Sequence, residues 1–562
     1  MLRLLFAALL VVGSSTAADL VLRGGKVITL DPSVPEASAI AVTNGRISAI
    51  GSDAQMAREI GPATRVIDLK GRVAIPGFID GHAHFTEIGE AKTILNLRNA
   101  RNWDEIVAMV AAAAHEAKPG EWIAGGGWHQ EKWDKRPEPN VRGFPLEESL
   151  SRVSPNNPVL LTHASGHAVF VNRAALTRAG VTRATADPAG GEILKDSLGN
   201  PTGLLNEGAQ ALARNAMARD LAKRTAVEKD AEAQRVIDLA SAEILSKGIT
   251  SFEDAGSPPD VIARLKARAD KGLLAPRLWV MLRISNAEFA FNAAKYRVIG
   301  DGDNHLTVRA IKRYMDGALG SRGAWMLEPY ADLPSSSGLN VEDLKDIEQT
   351  AQIAIENGYQ LCVHAIGDRA NREVLNLYER VFREHPEKKD LRWRIEHAQH
   401  LNPQDIPRFA KLGVIAAMQG IHATSDAAMV IPRLGQKRAQ EGAYVWRSLI
   451  DSGAHVANGT DAPVEDVDPI ANYYATFTRR TSSGDLFFPA QRMTRLEGLR
   501  SYTVEPAYAA FEENLKGRLK VGMLGDITVL SQDLLTVPEQ EILKTRVEYT
   551  IVGGKIAWQS GR

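Results

Sequence analysis

The chain has 562 residues, enough for one very large hydrophobic core or two to three ordinary ones. Its 44% apolar and 24% charged content is that of a soluble globular protein. With 67 basic and 68 acidic residues the net charge is −1, leaving no field to draw nucleic acid or an anionic membrane surface, so neither is expected as a partner.

The opening segment, MLRLLFAALLVVGSSTAADL, places Arg3 before an apolar run over residues 4–12 and follows it with small residues. Ser15 with Ala17, or Thr16 with Ala18, satisfies a small-x-small cleavage site. The run is too short to cross a bilayer comfortably. Residues 1–18 are therefore expected to be a cleaved secretory signal peptide, and the mature protein to be periplasmic or secreted, with no stable membrane insertion. The single cysteine, Cys362, allows no intramolecular disulfide, and within QLCVHAIG it reads as a small buried hydrophobe.

Next come short runs rich in Val, Ile and Thr: DLVLRGGKVITL, SAIAVTNGRISAIG and TRVIDLKGRVAIPG. Gly-Gly, Asn-Gly and Lys-Gly punctuate them, as in hairpins. GRLKVGMLGDITVL and VEYTIVGGKIAWQ repeat the pattern at the other end, so residues 19–76 and 515–562 are expected to form one small β-sandwich domain together. Between them, over 77–514, helices and strands alternate. NVEDLKDIEQTAQIAIENG opens at Asn340 and closes at Gly358, a left-handed cap position, directly before the strand YQLCVHAIG. TRLEGLRSYTVEPAYAAF begins with a capping box, Thr494 and Glu497. Such alternation implies parallel strands with crossover helices.

Eight strand candidates can be read: VAIPGFIDGHAHF, GITSFEDAG, RLWVMLRI, VRAIKRYMDG, QLCVHAIG, WRIEHAQH, VIAAMQG and HVANGTDAP. They point to an α/β fold, a closed (β/α)8 TIM-type barrel. The interval from about 95 to 225, after the first strand, is too long for one helix and carries its own clusters, such as GGGWHQEKWDKRPEP. It reads as an inserted subdomain covering the barrel mouth.

The polar residues fall in a pattern. Barrel active sites sit at the C-terminal ends of the strands. His82 and His84 end the first strand, Lys312 lies in the fourth, His364 in the fifth, His397 in the sixth and Asp461 in the eighth. In His82-Ala83-His84 the two side chains point the same way, because the side-chain period of a strand is two. Singly, each has an ordinary reading: a satisfied polar residue, a turn residue for Asp461, a snorkelling stem for Lys312. Together, histidines and an aspartate at the same ends of successive strands point to a metal site.

The set GFIDGHAHF, IKRYMDGALGSRGAW, LCVHAIGDRA, WRIEHAQH and NGTDAPVEDVDP resembles the amidohydrolase superfamily, and within it amidohydrolase family 3, the branch that includes N-substituted formamide deformylases. The resemblance covers nearly the whole mature chain. It implies that His82, His84 and Asp461 hold one divalent metal ion and that His364 and His397 hold a second, with Lys312 bridging the two. A lysine ammonium has no lone pair, so a bridging Lys312 would be N-carboxylated by carbon dioxide to a carbamate. With one ion bound, Lys312 would instead be a neutral or substrate-facing lysine. Nitrogen and oxygen donors without thiolate suit zinc, with manganese or iron as alternatives.

A metal lowers the pKa of bound water, and Asp461 is placed to take its proton and deliver it to a departing nitrogen. His422, in MQGIHATSD after the seventh strand, is the candidate to contact the substrate carbonyl. The resemblance also turns attention to His167, His163, Trp128 and His129 of the insertion as substrate contacts. Asp316 and Arg322 either touch substrate or brace the loop after strand four, and Asp368 is a candidate orienting group. Trp122, Trp128 and Trp133 line an apolar pocket or form the insertion's own core. The expected activity is hydrolysis of a C–N bond in a small amide-type substrate, an N-acyl or N-formyl amine. A metal-dependent esterase or lactonase, or a silent periplasmic binding or regulatory protein, are the alternatives. A homo-oligomer is compatible with the chain.

Overall fold

A computed structural model describes residues 17–130, 133–163, 168–188 and 191–561. The first sixteen residues of the expected signal peptide lie outside the described residues, as does His167. No described helix is long and apolar enough to cross a membrane.

Eight parallel strands run in sequence order: β1 (Phe78–Ala83), β2 (Ile249–Ser257), β3 (Arg277–Leu282), β4 (Leu306–Tyr314), β5 (Gln360–Ala365), β6 (Arg394–His397), β7 (Ile415–Met418) and β8 (Val456–Asn458). Each pairs with the next from β1 to β8. The sheet closes where β8 meets β1. Asp461 N donates to His82 O at 2.8 Å, and His84 N to Ala462 O at 2.8 Å. The seam is thus fastened at the strand ends that carry the polar pattern.

Strands covered on both faces read as continuous apolar runs, and β3, RLWVML, is buried at every position. Inside the barrel, Ala255, Trp279, Met281, Ala310, Cys362 and Ala510 form one buried cluster. Two residues on from Ala310 and Cys362, Lys312 and His364 share that inward face. Helix Leu344–Asn357 precedes β5. Asp343 caps it, accepting from Lys345 N at 2.9 Å, and Gly358 ends it at φ 68°. The expected start at Asn340 falls before the helix: Asn340 instead bridges back to Asp316.

Two differences from the sequence reading have local causes. VAIPGFIDGHAHF is not one strand: Val73–Pro76 pairs in a terminal sheet, and Gly77 separates it from β1. A Cβ on Gly77 would lie 2.1 Å from Thr250 Oγ1, so only glycine passes there. The stretch after the Thr494–Glu497 capping box forms two helices, Arg495–Ser501 and Val504–Ala509. Pro506 cannot continue the first, since its ring would meet the carbonyl of Tyr502.

The two chain ends build two sheets. One has four strands: Leu20–Arg23, Ala39–Thr43, Arg46–Gly51 and Arg65–Asp68. The other has six, and within it Ile527–Leu530 pairs antiparallel with Val73–Pro76. Leu20, Leu22, Ile40 and Val42 of the first share a buried core with Val27, Ala74, Ile527, Val529 and Ile551 of the second. The barrel is tied to these sheets by a buried ion pair, Arg277 Nε to Asp526 Oδ2 at 2.7 Å.

By contacts the chain divides into two compact units, Met1–Phe85 with Ser241–Arg562, and Thr86–Ala240. The second is wider than the expected 95–225 because all but the first residue of helix Phe85–Thr93 and most of helix Ala226–Ser246 belong with it. It contains its own six-stranded sheet, in the order Gly191–Lys195, Pro201–Glu207, Ala168–Val171, Val159–His163, Ile123–Trp128, Leu95–Asn96. Its core is aromatic and aliphatic, with Trp103, Trp128, Phe170 and Leu204 at the centre.

Candidate active site

The ends of the barrel strands bring the polar residues together around Asp461. His82 Nε2 lies 3.6 Å and His84 Nε2 3.3 Å from Asp461 Oδ1, and His422 Nε2 lies 3.8 Å from Oδ2. The ring centroid of His397 is 4.7 Å from that of His82 and 4.4 Å from that of His364. Donor atoms within 4.8 Å of one another form two groups, His82–His84–Asp461 and His397–His422–Asp461. The second differs from the expected pairing of His364 with His397. His364 borders His397, but its Nε2 points 3.6 Å from Asp316 Oδ1, and His422 completes the group.

Backbone conformation aims these ligands. His397 has φ 75°, Ala398 φ 42° and Asp461 φ 55°. Non-glycine residues avoid this left-handed region unless surrounding structure imposes it, and such strain clusters at functional sites. Here the seam bond from Asp461 N to His82 O helps impose it.

The donor set fits a metal. His82 Nε2, His364 Nε2 and His422 Nε2 are buried without a hydrogen-bond partner. Buried polar atoms are almost always satisfied, so the Nε2 atoms of His82 and His364 call for an acceptor of lone pairs, whereas Gln399 at His422 Nδ1 leaves the Nε2 of His422 an N–H in search of an acceptor. Burial, with Lys312 adding, pushes the imidazole of His82 down to about 4 and that of His364 to about 3, keeping both neutral. Burial would raise the Asp461 carboxyl, but its hydrogen bond with His84 and the neighbouring histidines hold it well below the usual carboxylate range. Lys312 is 1% exposed, with Nζ 5.1 Å from the Tyr314 ring centre.

Behind the histidines lies a layer of polar side chains that the sequence reading did not single out. Glu396 takes the hydrogen bond of His82 Nδ1. Arg394 grips Glu396 with both arms, Nε to Oε1 at 2.7 Å and Nη2 to Oε2 at 3.2 Å, and also bonds Glu253 and Gly81 O. Burial pushes Glu253 up to about 8 against the pull of Arg394, whereas Glu396, for which Arg394 and His82 overcome burial, is held down to about 2. Gln419 Oε1 sits 2.8 Å from His397 Nδ1, while its Nε2 donates to Ala417 O. Gln399 Nε2 sits 3.0 Å from His422 Nδ1. Asp80 binds Thr460 through N and Oγ1 and so fixes the turn into Asp461. Charged residues inside apolar strands were the available signal, since Asp, Glu and Arg are almost never fully buried unless paired.

Other candidates take different places. Trp128 is 0% exposed and its Nε1 donates to Leu161 O at 2.9 Å, with Trp133 stacked on it at 6.0 Å. It is a core residue of the insertion, so the expected substrate contact is corrected. Trp122 Nε1 donates to Asp220. His163 bonds Gln130 at 3.0 Å, and its ring is 4.7 Å from that of His129. Asp316 is turned inward, accepting from Ile366 N, Gly367 N and Trp325 N, and burial pushes it up to about 7. It braces the loop, the second of the two readings. Arg322 does the same through Asp332, at 2.9 Å. Asp368 accepts from Leu327 N in that loop.

The model of the amidohydrolase family matches residues 65–557. Over 551 residues the chain is 33% identical to Protein LONG AFTER FAR-RED 3 of Arabidopsis thaliana, spanning 96% of this chain and 91% of that protein. It is 27% identical over 554 residues to the N-substituted formamide deformylase of Arthrobacter pascens, spanning 96% and 98%. A crystal structure titled as an uncharacterized metal-dependent hydrolase from Pyrococcus furiosus superposes with a TM-score of 0.72 at 25% identity, covering 92% of this chain and 100% of that one.

Proposed function

The chain belongs to the amidohydrolase family, and from that premise we propose that it cleaves the C–N bond of a small amide-type substrate, an N-acyl or N-formyl amine. The hydrolytic role goes with the family. The choice of bond is supported by the likeness to a deformylase of N-substituted formamides. The observation that carries the reading is the three-donor group His82–His84–Asp461 at the strand ends, beside the unpartnered Nε2 of His364.

His82, His84 and Asp461 would hold one divalent ion, zinc by the chemistry of its donors. His364 and His397, whose ring centroids lie 4.4 Å apart, would hold a second, with the buried Lys312, as a carbamate, supplying a further oxygen donor. When bound, the metal supplies Lewis acidity, which makes a water molecule more acidic and a carbonyl more electrophilic. Asp461, with one oxygen toward His84 and the other toward His422, takes the proton of the attacking water and passes it to the leaving nitrogen. His422 receives a hydrogen bond at Nδ1 from Gln399 Nε2, so its proton sits on Nε2. That N–H donates to the substrate carbonyl oxygen as negative charge develops there.

The test joins metal analysis of the purified protein to a screen of N-formyl, N-acetyl and longer N-acyl amines beside matched esters. Stoichiometric metal and turnover of an amide are expected. Faster turnover of every ester than of its amide would move the reading to ester hydrolysis, and absence of metal with no turnover after reconstitution would end it. Export is proposed from the apolar leader, and the N-terminal sequence of protein recovered outside the cytoplasm should begin at residue 18 or 19.

A further inference from the structure

His82 can carry its ring proton on either nitrogen, and only the form with a bare Nε2 can bind a metal through the nitrogen that faces Asp461. We propose that Arg394, acting through Glu396, fixes His82 as the Nδ1–H tautomer and so points the Nε2 lone pair into the site. The inference rests on the metal reading above and concerns positioning residues.

The argument is one of hydrogen-bond polarity. A guanidinium has donors only. Arg394 lays two of them along Glu396, Nε on Oε1 at 2.7 Å and Nη2 on Oε2 at 3.2 Å, so that carboxylate is held as an acceptor on both oxygens. The same Oε2 meets His82 Nδ1, which must therefore donate. The proton is committed there, and Nε2 is left bare, buried and without a partner, 3.6 Å from Asp461 Oδ1.

Arg394 is itself fixed in the barrel interior. It is 0% exposed, its remaining donors reach Glu253 and Gly81 O at 2.6 Å, and its guanidinium lies 5.3 Å from the Trp279 ring centre. Gly81 precedes His82, so one guanidinium holds both the backbone and the proton of the same ligand. A lysine could supply the charge but not the fork. The contrast with His422 is internal: there an amide N–H meets Nδ1, and the polarity is reversed.

The experiment uses metal-free, nitrogen-15-labelled full-length protein. The His82 imidazole signals are identified by their loss in His82→Asn. The wild type should show a protonated Nδ1 and a bare Nε2. In Glu396→Gln, Arg394 keeps the amide oxygen and the amide nitrogen faces Nδ1, so the ring proton should move to Nε2. Zinc affinity, read by competition with a chelator, should then fall by about 10–100-fold. Arg394→Lys should give mixed tautomers and an intermediate loss. A wild-type His82 protonated on Nε2, or Glu396→Gln with wild-type zinc affinity, overturns the proposal. Arg394→Lys that folds with unchanged tautomer and affinity removes Arg394 from it. If Arg394→Lys does not fold, the wild-type spectrum and Glu396→Gln still decide. A wild type that binds no zinc defeats the metal reading instead, while its tautomer remains measurable.

Discussion

Histidine occurs in both compact units, and its nitrogens end differently in each. In the insertion, His163 bonds Gln130 beside an aromatic core of Trp103, Trp128 and Phe170. In the barrel, His82, His364 and His422 each bury an Nε2 that meets no partner. The barrel also buries Asp80, Glu253, Lys312, Arg394 and Glu396, groups that carry a desolvation cost an aromatic core avoids. Residue type alone therefore does not mark a site. What marks it is a polar atom left unsatisfied where water cannot reach, beside charges whose burial serves to hold it in place.

The largest effect that could break this contrast is at Asp461. Asp461→Asn should lower turnover by about 10²–10⁴-fold with the circular dichroism melting curve little changed. Full activity in that variant would remove the shared carboxylate from the chemistry. Next comes Trp128→Ala, expected to destabilise the insertion by about 3–5 kcal/mol in denaturant unfolding while leaving metal content intact. A change in substrate preference without loss of stability would return Trp128 to the binding surface.

The smallest effect is a difference in acid sensitivity. His400, in the barrel unit, is buried with neither ring nitrogen partnered, and burial pushes it down to about 3. Its unfolded pKa is about 6.5, so the unfolded state binds the extra proton first and stability falls as pH drops below that value. Asp220, in the insertion, is the opposite case. Burial raises it, but hydrogen bonds from Lys223, Trp122 and Arg178 bring it down to about 2. Its contribution is complete above about pH 4 and is lost as pH falls toward 2. Hydrogen exchange on metal-free protein should show barrel protection declining between about pH 6 and 4 while insertion protection holds. His400→Leu should shrink that decline; an equal decline in both units would erase the distinction.

Much of this was legible in the sequence because it is written in local periodicity. His82-Ala83-His84 follows an apolar run, and His364, His397 and Asp461 end runs of their own, so strand ends and ligand candidates could be read together. The orienting layer could not. Glu396 stands next to His397 in the chain yet serves His82, and Gln399 and Gln419 serve His422 and His397 across neighbouring strand ends. Asp316 was ambiguous because its role is set by the amides of Ile366 and Gly367, which only β5 brings to it. Trp128 misled because a tryptophan in a Gly-rich strand looks the same whether its ring faces a ligand or a core.

The antiparallel pairing of Val73–Pro76 with Ile527–Leu530 has a consequence for how the molecule is made. These strands come from opposite ends of the chain, and Val73–Pro76 leads directly into β1. During synthesis the segment bearing His82 and His84 emerges early and meets β2 midway, while the Val73–Pro76 strand that leads into it waits through nearly the whole of translation for Ile527–Leu530. The seam to Asp461 closes late as well. A ribosome-bound product lacking the final strands therefore holds an unpaired edge, and one that has not reached Asp461 holds an open seam and an incomplete ligand set, so competence to bind a metal comes only after most of the chain has been made.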